Sequence, residues 1–222
     1  MAVNYMEDGT RSEPAPINAF QKASTCIIGD GETFILPDIP ATIFEGEAEL
    51  ALVIGKGGEN IKPENAYDHI FGYLNFIDGS ARGVLPPGNT FYQMKSRATF
   101  APMGPYIVTA DEVPDPHNLQ VKLWVNGVLR QNYHTSDMAH KIPAMLEWVT
   151  SITALEPGDV IACGTNHRGL GPLQDGDTVE MEIGSFGKLT VHVTDAQKRT
   201  WPRETHAQRE AREAAAARPT MM

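Results

Sequence analysis

The chain has 222 residues, of which 41% are hydrophobic, and its formal net charge is -10. This length is sufficient for one sizeable domain, or for one domain and a tail. The acidic balance argues against nucleic acid and membrane partners, because both recruit proteins through clustered Lys and Arg side chains. An acidic protein that binds an anionic small molecule needs a local cation, and a divalent metal ion would supply one.

The sequence also predicts a reducing compartment. Its two cysteines, Cys26 and Cys163, each stand beside small or β-branched apolar residues, a setting typical of buried core thiols. A single disulfide between them is the alternative. The N-terminal residues do not resemble a signal peptide, and the longest apolar run, residues 50–55, is far too short to span a bilayer. We therefore expect a soluble, cytoplasmic protein.

The first half of the chain predicts strands more than helices. Residues 1–18 are polar and turn-rich, which is typical of a mobile opening or lid segment. Residues 50–54 have apolar side chains on both strand faces, as expected for a strand buried on both sides. Residues 62–71 favour the beginning of a helix, residues 72–82 predict a strand that ends in a turn, and residues 83–90 predict a loop.

The second half of the chain predicts further strands and two hairpins. Apolar content and alternation predict strands at residues 105–110, 119–127 and 159–164. Asn126-Gly127 is a sequence typical of a two-residue hairpin turn. A second hairpin is expected around residues 184–187.

One longer helix and a tail complete the predicted elements. Apolar residues approximate helical spacing across residues 136–150, where Ser136 can cap the helix. Residues 198–222 are rich in Ala and charged residues, which indicates a solvated helix or a frayed tail. We therefore expect an N-terminal segment at 1–18, a domain at 19–197 and a tail at 198–222. The whole pattern is that of a β-rich α+β domain with few helices.

Two glutamates occupy unusual positions at the start of a predicted buried strand. Glu47 and Glu49 are two residues apart, so in a strand they share one face with Cα atoms roughly 7 Å apart. Neighbouring carboxylates repel each other, and a Mg²⁺ ion bound through both would remove that repulsion. The alternative is a frayed strand end that faces solvent.

Asp78 adds a third oxygen ligand to this hypothesis. It closes the strand GYLNFID, residues 72–78, and precedes Gly-Ser-Ala-Arg, so we expect it at a strand end beside a loop. Three carboxylates without Cys or His favour Mg²⁺ or Mn²⁺ over zinc. The alternative is that Asp78 forms a turn, because Asp is common before Gly.

Lys95 and His167 are the remaining candidates that the sequence suggests. The apolar residues that follow Lys95 favour its partial burial, where it would supply positive charge to a carboxylate or a developing enolate. The alternative is a surface lysine. His167 lies in a glycine-flanked polar turn after a predicted strand, and the alternative for this residue is a solvated loop histidine.

Four segments resemble the catalytic domain of the fumarylacetoacetate hydrolase family. These segments are EAELALVIGK at 47–56, DGSAR at 78–82, KSRATFAPMGP at 95–105 and PGDVIACGT at 157–165. Their order and spacing match the family pattern, and the resemblance extends from about residue 4 to residue 193. It implies a mixed, rolled β-sandwich-like fold with few short helices, which would make 19–197 the catalytic domain, and it implies a homodimer.

The resemblance also implies roles for individual residues. Glu47, Glu49 and Asp78 would hold Mg²⁺, with Mn²⁺ as an alternative ion. Lys95 would bind and polarise the substrate, and Thr165 and Arg82 would contact its carboxylate end. For Arg82 the alternative is a salt bridge to a neighbouring loop.

The reaction implied by the family begins with a small oxo- or enol-carboxylate. The first hypothesis is hydrolysis of a C–C bond in an acylpyruvate-like or fumarylacetoacetate-like acid produced during breakdown of aromatic compounds. The second is isomerisation or decarboxylation of a 2-hydroxy-dienedioate or a 2-oxo diacid, which shares the enolate. The third is a ligand-binding family member without catalysis.

The N-terminal segment departs from the pattern of hydrolytic family members. Those members have Asn-Tyr-x-x-His with a Glu three residues later, a pair that activates water. Here Asp8 stands at the histidine position and Arg11 at the glutamate position. Glu7, Asp8 and Glu13 are the candidates to replace the pair, and the departure favours the isomerase and decarboxylase alternatives.

Overall fold

A computed structural model describes residues 1–88 and 91–216 of the chain. Within these residues the strands are β1 (Ile27–Ile28), β2 (Thr33–Ile35), β3 (Ile43–Ile54), β4 (Ile70–Arg82), β5 (Ala101–Thr109), β6 (Gln120–Val125), β7 (Val128–His134), β8 (Val160–Ala162), β9 (Thr178–Ile183) and β10 (Lys188–Thr194). The α-helices are α1 (Phe91–Lys95), α2 (Ile142–Thr150) and α3 (His206–Ala216). The β-rich α+β class that the sequence predicts is confirmed.

The strands form two five-stranded mixed sheets. The first has the order β1-β5-β4-β3-β8, and the second has the order β2-β10-β9-β6-β7. A common core contains side chains from both sheets, among them Leu50, Tyr73, Leu123, Met181 and Val191. This architecture agrees with the mixed, rolled sandwich that the family resemblance implies.

Alternation along β3 separates the core from a second, functionally important face. The even-numbered residues Phe44, Leu50 and Leu52 pack into the core between the sheets. Odd-numbered residues lie on the opposite face, because successive side chains of a strand alternate. On that face Ala51 and Val53 join a smaller apolar cluster. The preceding odd-numbered residues of β3, at positions 45, 47 and 49, are glutamates. The same face therefore has a polar half and an apolar half.

A glycine on the strand opposite the glutamates lets aromatic rings approach the sheet closely. Gly46 of β3 lies directly opposite Gly79 of β4. A Cβ atom on Gly79 would stand 2.7 Å from atoms of both the Phe34 and the Phe100 side chains, whose rings stack with centroids 4.9 Å apart. The Glu-Gly-Glu and Asp-Gly-Ser sequences therefore combine acidic groups on one face with aromatic packing on the other.

The strand β4 is longer than the sequence pattern indicates, and this corrects the predicted position of Asp78. The Asp-Gly-Ser-Ala-Arg sequence favours a turn in isolation, yet β3 pairs with each of residues 79–82. Asp78 therefore lies inside the sheet, not at a strand end. The predicted loop at 83–90 follows, and Asn89 and Thr90 lie outside the described residues.

The predicted helices are shorter than expected. The segment 136–150 is α-helical only over Ile142–Thr150, because Pro143 has no N–H to continue a helix through it from the preceding turn. Thr135–Asp137 form a separate 3₁₀ turn. The predicted helix start at 62–71 is a 3₁₀ helix, Pro63–His69, that leads directly into β4.

Both predicted hairpins are confirmed. Strands β6 and β7 pair antiparallel on either side of Asn126 and Gly127, which have φ values of 52° and 74°. These left-handed values are the ones that a type I′ hairpin turn requires. Strands β9 and β10 form the second antiparallel pair.

The two cysteines are buried free thiols, as the sequence favoured. Cys163 belongs to the main core between the sheets. Cys26 belongs to the smaller apolar cluster on the other face of the first sheet. Their separation onto different faces explains why no disulfide joins them.

Both ends of the described chain pack against the sandwich. Tyr5 is fully buried, and its ring meets that of Tyr133 edge-on with centroids 4.9 Å apart. Trp201 packs against Phe44 in a similar way. The predicted tail is helical in α3, and its residues 217–222 lie outside the described part of the chain. None of the helices within residues 1–88 and 91–216 has the length and apolar character needed to cross a membrane.

Candidate metal centre and active site

Three carboxylates meet on the polar half of the first sheet. Glu47 and Glu49 flank Ala48 on β3, and Asp78 lies directly opposite Glu47 on β4. One oxygen from each carboxylate lies within 4.8 Å of the others, and all three side chains are buried. The sheet register therefore brings together the three residues that the sequence predicts as metal ligands.

Lys95 bridges two of these carboxylates. It is the last residue of α1 and is only 3% exposed. Its Nζ donates to Glu47 Oε1 and to Asp78 Oδ2, each at 2.6 Å. Burial alone would lower the pKa of Lys95, but Asp78 and Glu47 outweigh that effect and raise the pKa above its ordinary value. Lys95 is therefore a buried, charged group at the site and not a surface lysine.

A second lysine, Lys22, reaches the same cluster. Its Nζ donates to Asp78 Oδ1 at 2.5 Å and also to the backbone carbonyl of Lys95. The sequence did not single out this residue. Nothing in the local pattern distinguishes Lys22 from a solvated lysine, because Asp78 lies 56 residues further along the chain.

Glu49 differs from the other two carboxylates, because no cationic side chain in residues 1–88 and 91–216 forms a salt bridge with it. Its Oε2 accepts a hydrogen bond from the Gly164 N–H at 2.6 Å. Burial raises the pKa of Glu49 from an ordinary 4.5 to about 8. The N-terminal ammonium of Met1 acts against this rise, whereas the charges of Asp78 and Glu47 act with it. A buried carboxylate in such a position is costly to ionise unless a cation neutralises it.

Glu47 shows the opposite behaviour. Burial alone would raise its pKa, but the positive charges of Lys95 and Arg82 lower it below the ordinary range of a glutamate. The site therefore combines Glu47, which forms salt bridges with Lys95 and Arg82, with Glu49, which forms none with a side chain of residues 1–88 and 91–216.

Arg82 is held by two carboxylates of β3. Its Nε donates to Glu45 Oε2 at 2.8 Å, and its Nη2 donates to Glu47 Oε1 at 2.5 Å. Glu45 also accepts a hydrogen bond from His206 of α3 at 2.7 Å. This geometry supports a salt-bridged arginine, although its partners lie on the adjacent strand and not on a loop. Contact between Arg82 and a substrate stays a prediction.

Thr165 and Gln131 fix the backbone between the two glutamates. The Thr165 hydroxyl donates to the Ala48 carbonyl at 2.7 Å and accepts from Gln131 Nε2 at 2.8 Å. Gln131 Oε1 accepts from the Ala48 N–H at 2.9 Å. The sequence analysis missed Gln131, and a glutamine at a buried strand position was the available signal, because buried polar groups need partners. Contact between Thr165 and a substrate carboxylate stays a prediction.

The N-terminal segment places one carboxylate in the interior. Asp8 and Arg11, which occupy the lid positions of the family pattern, are exposed, as is Glu13. Glu7 is only 6% exposed. Its Oε1 lies 2.6 Å from His167 Nδ1, and its Oε2 accepts the His167 backbone N–H at 2.8 Å. Glu7, Asp8 and Glu13 are the candidates to replace the His–Glu pair of hydrolytic members. Of these, Glu7 has a histidine partner.

A cavity of about 590 Å³ lies on the Phe20 side of the buried Lys95. It is lined by Asn18, Ala19, Phe20, Gln21, Phe91 and Tyr92. The rings of Phe20 and Phe91 stack with centroids 4.7 Å apart, and the Phe20 ring also lies 5.5 Å from Lys95 Nζ. One ring therefore forms both a wall of the cavity and a contact of the buried lysine.

Comparison with known proteins defines the class to which this fold and this site belong. Residues 2–194 match the family model described as "Fumarylacetoacetate (FAA) hydrolase C-terminal". The chain therefore belongs to the fumarylacetoacetate hydrolase family, as its sequence segments indicate.

Individual members of the family that resemble the chain differ in their reactions. Oxaloacetate tautomerase fahd2 of Xenopus laevis, a mitochondrial protein, is 39% identical, with 77% of this chain and 56% of that protein covered. The structure of 2-hydroxyhepta-2,4-diene-1,7-dioate isomerase from Mycobacterium marinum is 36% identical with a TM-score of 0.78, and the match covers 89% of this chain and 73% of that one. The structure of maleylpyruvate hydrolase from Sphingobium sp. SYK-6 in complex with manganese(II) ion and pyruvate has the same identity and TM-score, with 87% and 68% covered.

The acidic cluster fits a divalent metal ion. Its three ligand atoms are carboxylate oxygens, which suit hard cations such as Mg²⁺ and Mn²⁺. Lys95 and Lys22 partly neutralise Glu47 and Asp78, whereas no side chain in the described part of the chain forms a salt bridge with Glu49. A bound cation would supply the charge that this buried carboxylate needs to ionise.

The raised pKa of Glu49 predicts that stabilisation by metal depends on pH. Without metal, folded Glu49 keeps its proton up to about pH 8, whereas the unfolded chain releases it near 4.5. Its contribution to stability is therefore fully present below about pH 4.5 and is lost as pH rises through about 8, by roughly a few kcal/mol. A metal ion competes with this proton, so the rise in melting temperature on adding Mg²⁺ should grow between pH 5 and pH 8. Thermal unfolding with Mg²⁺ and with EDTA between these pH values measures the rise in melting temperature. A rise that did not change with pH would contradict the prediction.

Proposed function

We propose that the chain is a Mg²⁺-dependent enzyme that interconverts the keto and enol forms of a 2-oxo acid, with Mn²⁺ as an alternative ion. The observation that carries this proposal is the buried triad of Glu47, Glu49 and Asp78 with the charged Lys95 beside it. These carboxylates would hold the ion. When bound, it supplies Lewis-acid stabilisation for the negative charge of an enolate.

The residues around the triad supply binding and charge stabilisation. The Lys95 ammonium is buried and fixed by hydrogen bonds, so it presents a pre-oriented positive charge where the enolate oxygen of a bound 2-oxo acid would develop. The aromatic wall of Phe20 and Phe91 would take the remainder of the substrate, because apolar walls with a few fixed polar groups are typical of small-molecule sites. This arrangement suits a small oxo- or enol-carboxylate with its polar end at the triad.

The exposed lid positions favour tautomerisation or isomerisation over hydrolysis. Hydrolysis of a C–C bond requires an activated water in addition to the enolate, and neither Asp8 nor Arg11 forms the His–Glu pair that does this in hydrolytic members. The similarity to an oxaloacetate tautomerase and to a dienedioate isomerase supports the same order of preference.

Hydrolysis of an acylpyruvate-like or fumarylacetoacetate-like acid is the second candidate. The similarity to maleylpyruvate hydrolase supports it, and the buried Glu7 with its histidine partner is a group that can accept a proton from water. Decarboxylation of a 2-oxo diacid shares the same enolate. The homodimer implied by the resemblance and the cytoplasmic location expected from the cysteines and the N-terminal residues stay predictions.

Product analysis by NMR tests this proposal. We expect the purified protein with Mg²⁺ to accelerate keto–enol exchange of oxaloacetate, or of another 2-oxo acid in a panel that includes acylpyruvates, and EDTA to remove the activity. Release of pyruvate together with a second acid would assign hydrolysis, and loss of CO₂ would assign decarboxylation. Binding of pyruvate without turnover of any panel member, at saturating Mg²⁺ or Mn²⁺, would overturn the proposal in favour of a ligand-binding protein.

A further inference from the structure

We propose that Glu7 and His167 form the proton-transfer pair of this site, an inference that rests on the proposed enolisation of a 2-oxo acid. The two residues stand 160 positions apart in the chain. Glu7 belongs to the N-terminal segment, and His167 belongs to the loop that follows β8. Their pairing gives the site an acid–base group at positions other than the lid positions of the family pattern.

One carboxylate fixes the whole histidine. Glu7 Oε1 lies 2.6 Å from the imidazole Nδ1, while Oε2 accepts the backbone N–H of His167 at 2.8 Å. The carboxylate is only 8% exposed, so solvent competes little for these hydrogen bonds. Two contacts from one side chain set both the position of the residue and the plane of its ring, which a solvated loop histidine would lack.

The contact also selects the tautomer of the imidazole. An ionised carboxylate only accepts hydrogen bonds, so Nδ1 must carry the proton that faces Glu7. In the neutral ring Nε2 then has a lone pair, as in other carboxylate–histidine pairs in which the carboxylate orients a base. Nε2 forms no hydrogen bond within residues 1–88 and 91–216, and the His167 side chain is 27% exposed. The imidazole side chain is therefore partly open to its surroundings.

The loop that carries His167 contacts the strand of the acidic cluster. This loop begins at Gly164, whose N–H donates to Glu49 Oε2 at 2.6 Å, and the Thr165 hydroxyl ties the same loop to Ala48. His167 follows Gly164 by three positions in the sequence. A substrate held at the triad would therefore have the imidazole at one side.

The backbone at Glu7 is held in an unfavourable conformation. Glu7 and Asp8 have φ values of 57° and 54°, in the left-handed region that residues with side chains rarely adopt. Such strain persists where surrounding contacts enforce it, and it is concentrated at functional sites. The turn that contains Glu7 aims its carboxylate inward while Asp8 remains exposed.

The proposed step balances as a proton transfer. His167 Nε2 accepts the proton from C3 of the bound 2-oxo acid, and the C3–H electron pair becomes the C2–C3 double bond. The electron pair displaced from the C2 carbonyl moves onto its oxygen, where Lys95 supplies positive charge. The imidazolium so formed is stabilised by the Glu7 carboxylate. Return of the proton from Nε2 to C3 regenerates the keto acid.

Exchange of the pyruvate methyl protons in D₂O, followed by ¹H NMR with Mg²⁺ present, tests this step. We expect the His167→Gln variant to lose exchange by roughly a hundred-fold or more, the usual scale of general acid–base catalysis. Glu7→Gln should lose roughly tenfold or more, because an amide no longer fixes the tautomer or stabilises the imidazolium. His140→Gln is the matched control, since His140 also ties down the N-terminal segment, with Nε2 2.8 Å from the Ala15 carbonyl, and it should retain exchange.

Readouts other than activity separate proton transfer from a structural role. Mn²⁺ affinity by EPR and the melting temperature should stay near wild type in both variants, and ¹⁵N NMR of the wild type should show a protonated Nδ1 on His167. If His167→Gln exchanged the methyl protons as fast as the wild type, the proton-transfer role of Glu7 and His167 would be overturned. The proposed function would remain intact. Parallel loss of Mn²⁺ binding and exchange in Glu7→Gln would assign the pair to holding the site together and also overturn it. Absence of metal-dependent exchange and turnover in the wild type would overturn the proposed function and this inference together.

Discussion

A Glu49→Gln variant is expected to lose metal-dependent turnover by roughly a thousand-fold, because the ion's stabilisation of the enolate is worth several kcal/mol and each 1.36 kcal/mol is a factor of ten. The substitution preserves the volume of the side chain and an oxygen that can accept the Gly164 N–H. It removes only the negative charge. Turnover of the 2-oxo acid identified in the panel measures the effect, together with Mn²⁺ affinity by EPR.

The same variant should remain folded, and this distinguishes a lost ligand from a damaged core. Without metal at pH 8, its melting temperature should equal or exceed that of the wild type, because a buried carboxylate that is costly to ionise has been replaced by a neutral amide. Glu180→Gln is a suitable control, since Glu180 forms a salt bridge with Lys188 at a partly exposed position of β9, away from the triad. Full turnover in Glu49→Gln, or unfolding of the chain, would contradict the metal assignment.

Replacement of Lys95 by methionine is expected to affect both stability and turnover. Lys95 is 3% exposed and donates to two buried carboxylates, and removal of one partner from a buried ion pair costs about 3–5 kcal/mol. The melting temperature without metal should therefore fall by several degrees or more. Turnover should fall by roughly a hundred-fold, the scale for loss of one preorganised charge at a developing oxyanion.

Metal and a surface lysine provide the controls for Lys95→Met. Saturating Mg²⁺ should restore part of the lost stability, because the ion neutralises the same carboxylates, yet it should not restore turnover. Lys188→Met removes a lysine that is 45% exposed and forms one surface salt bridge, so its effects on both quantities should be small. Equal losses of stability and of turnover in Lys95→Met and Lys188→Met would show that Lys95 has no special role at the site.

The local pattern predicted the strands well because a strand repeats every two residues. Apolar runs and turn signals identified β3, β4 and both hairpins, and the Asn-Gly turn was confirmed where left-handed φ values are needed. The sequence did not predict the full length of β4, because a strand continues as far as a neighbouring strand pairs with it. The limits of α2 were missed because Pro143 outweighs the helical spacing of the residues before it.

The candidate site was predictable where its members lie close in sequence or match family segments. Glu47 and Glu49 share a face by the geometry of a single strand. The sequence around Asp78 and Lys95 made them candidates, and the family segments then added Thr165 and Arg82. Lys22, Gln131 and the pairing of Glu7 with His167 could not be predicted. Each of these contacts joins residues more than 30 positions apart, and no local pattern specifies such a partner.

The sequence by itself determined the family, the β-rich class and the residues of the acidic triad, because periodicity and segment order are properties of the chain alone. The tertiary structure decided the state of these residues. The register of β3 against β4 placed Asp78 opposite Glu47 inside the sheet, and burial left Glu49 without a cationic side chain among the residues described. The tertiary structure also placed Glu7 beside His167. Ionisation and proton transfer depend on distances and solvent exclusion at a few Ångströms, and these quantities exist only once distant parts of the chain have packed together.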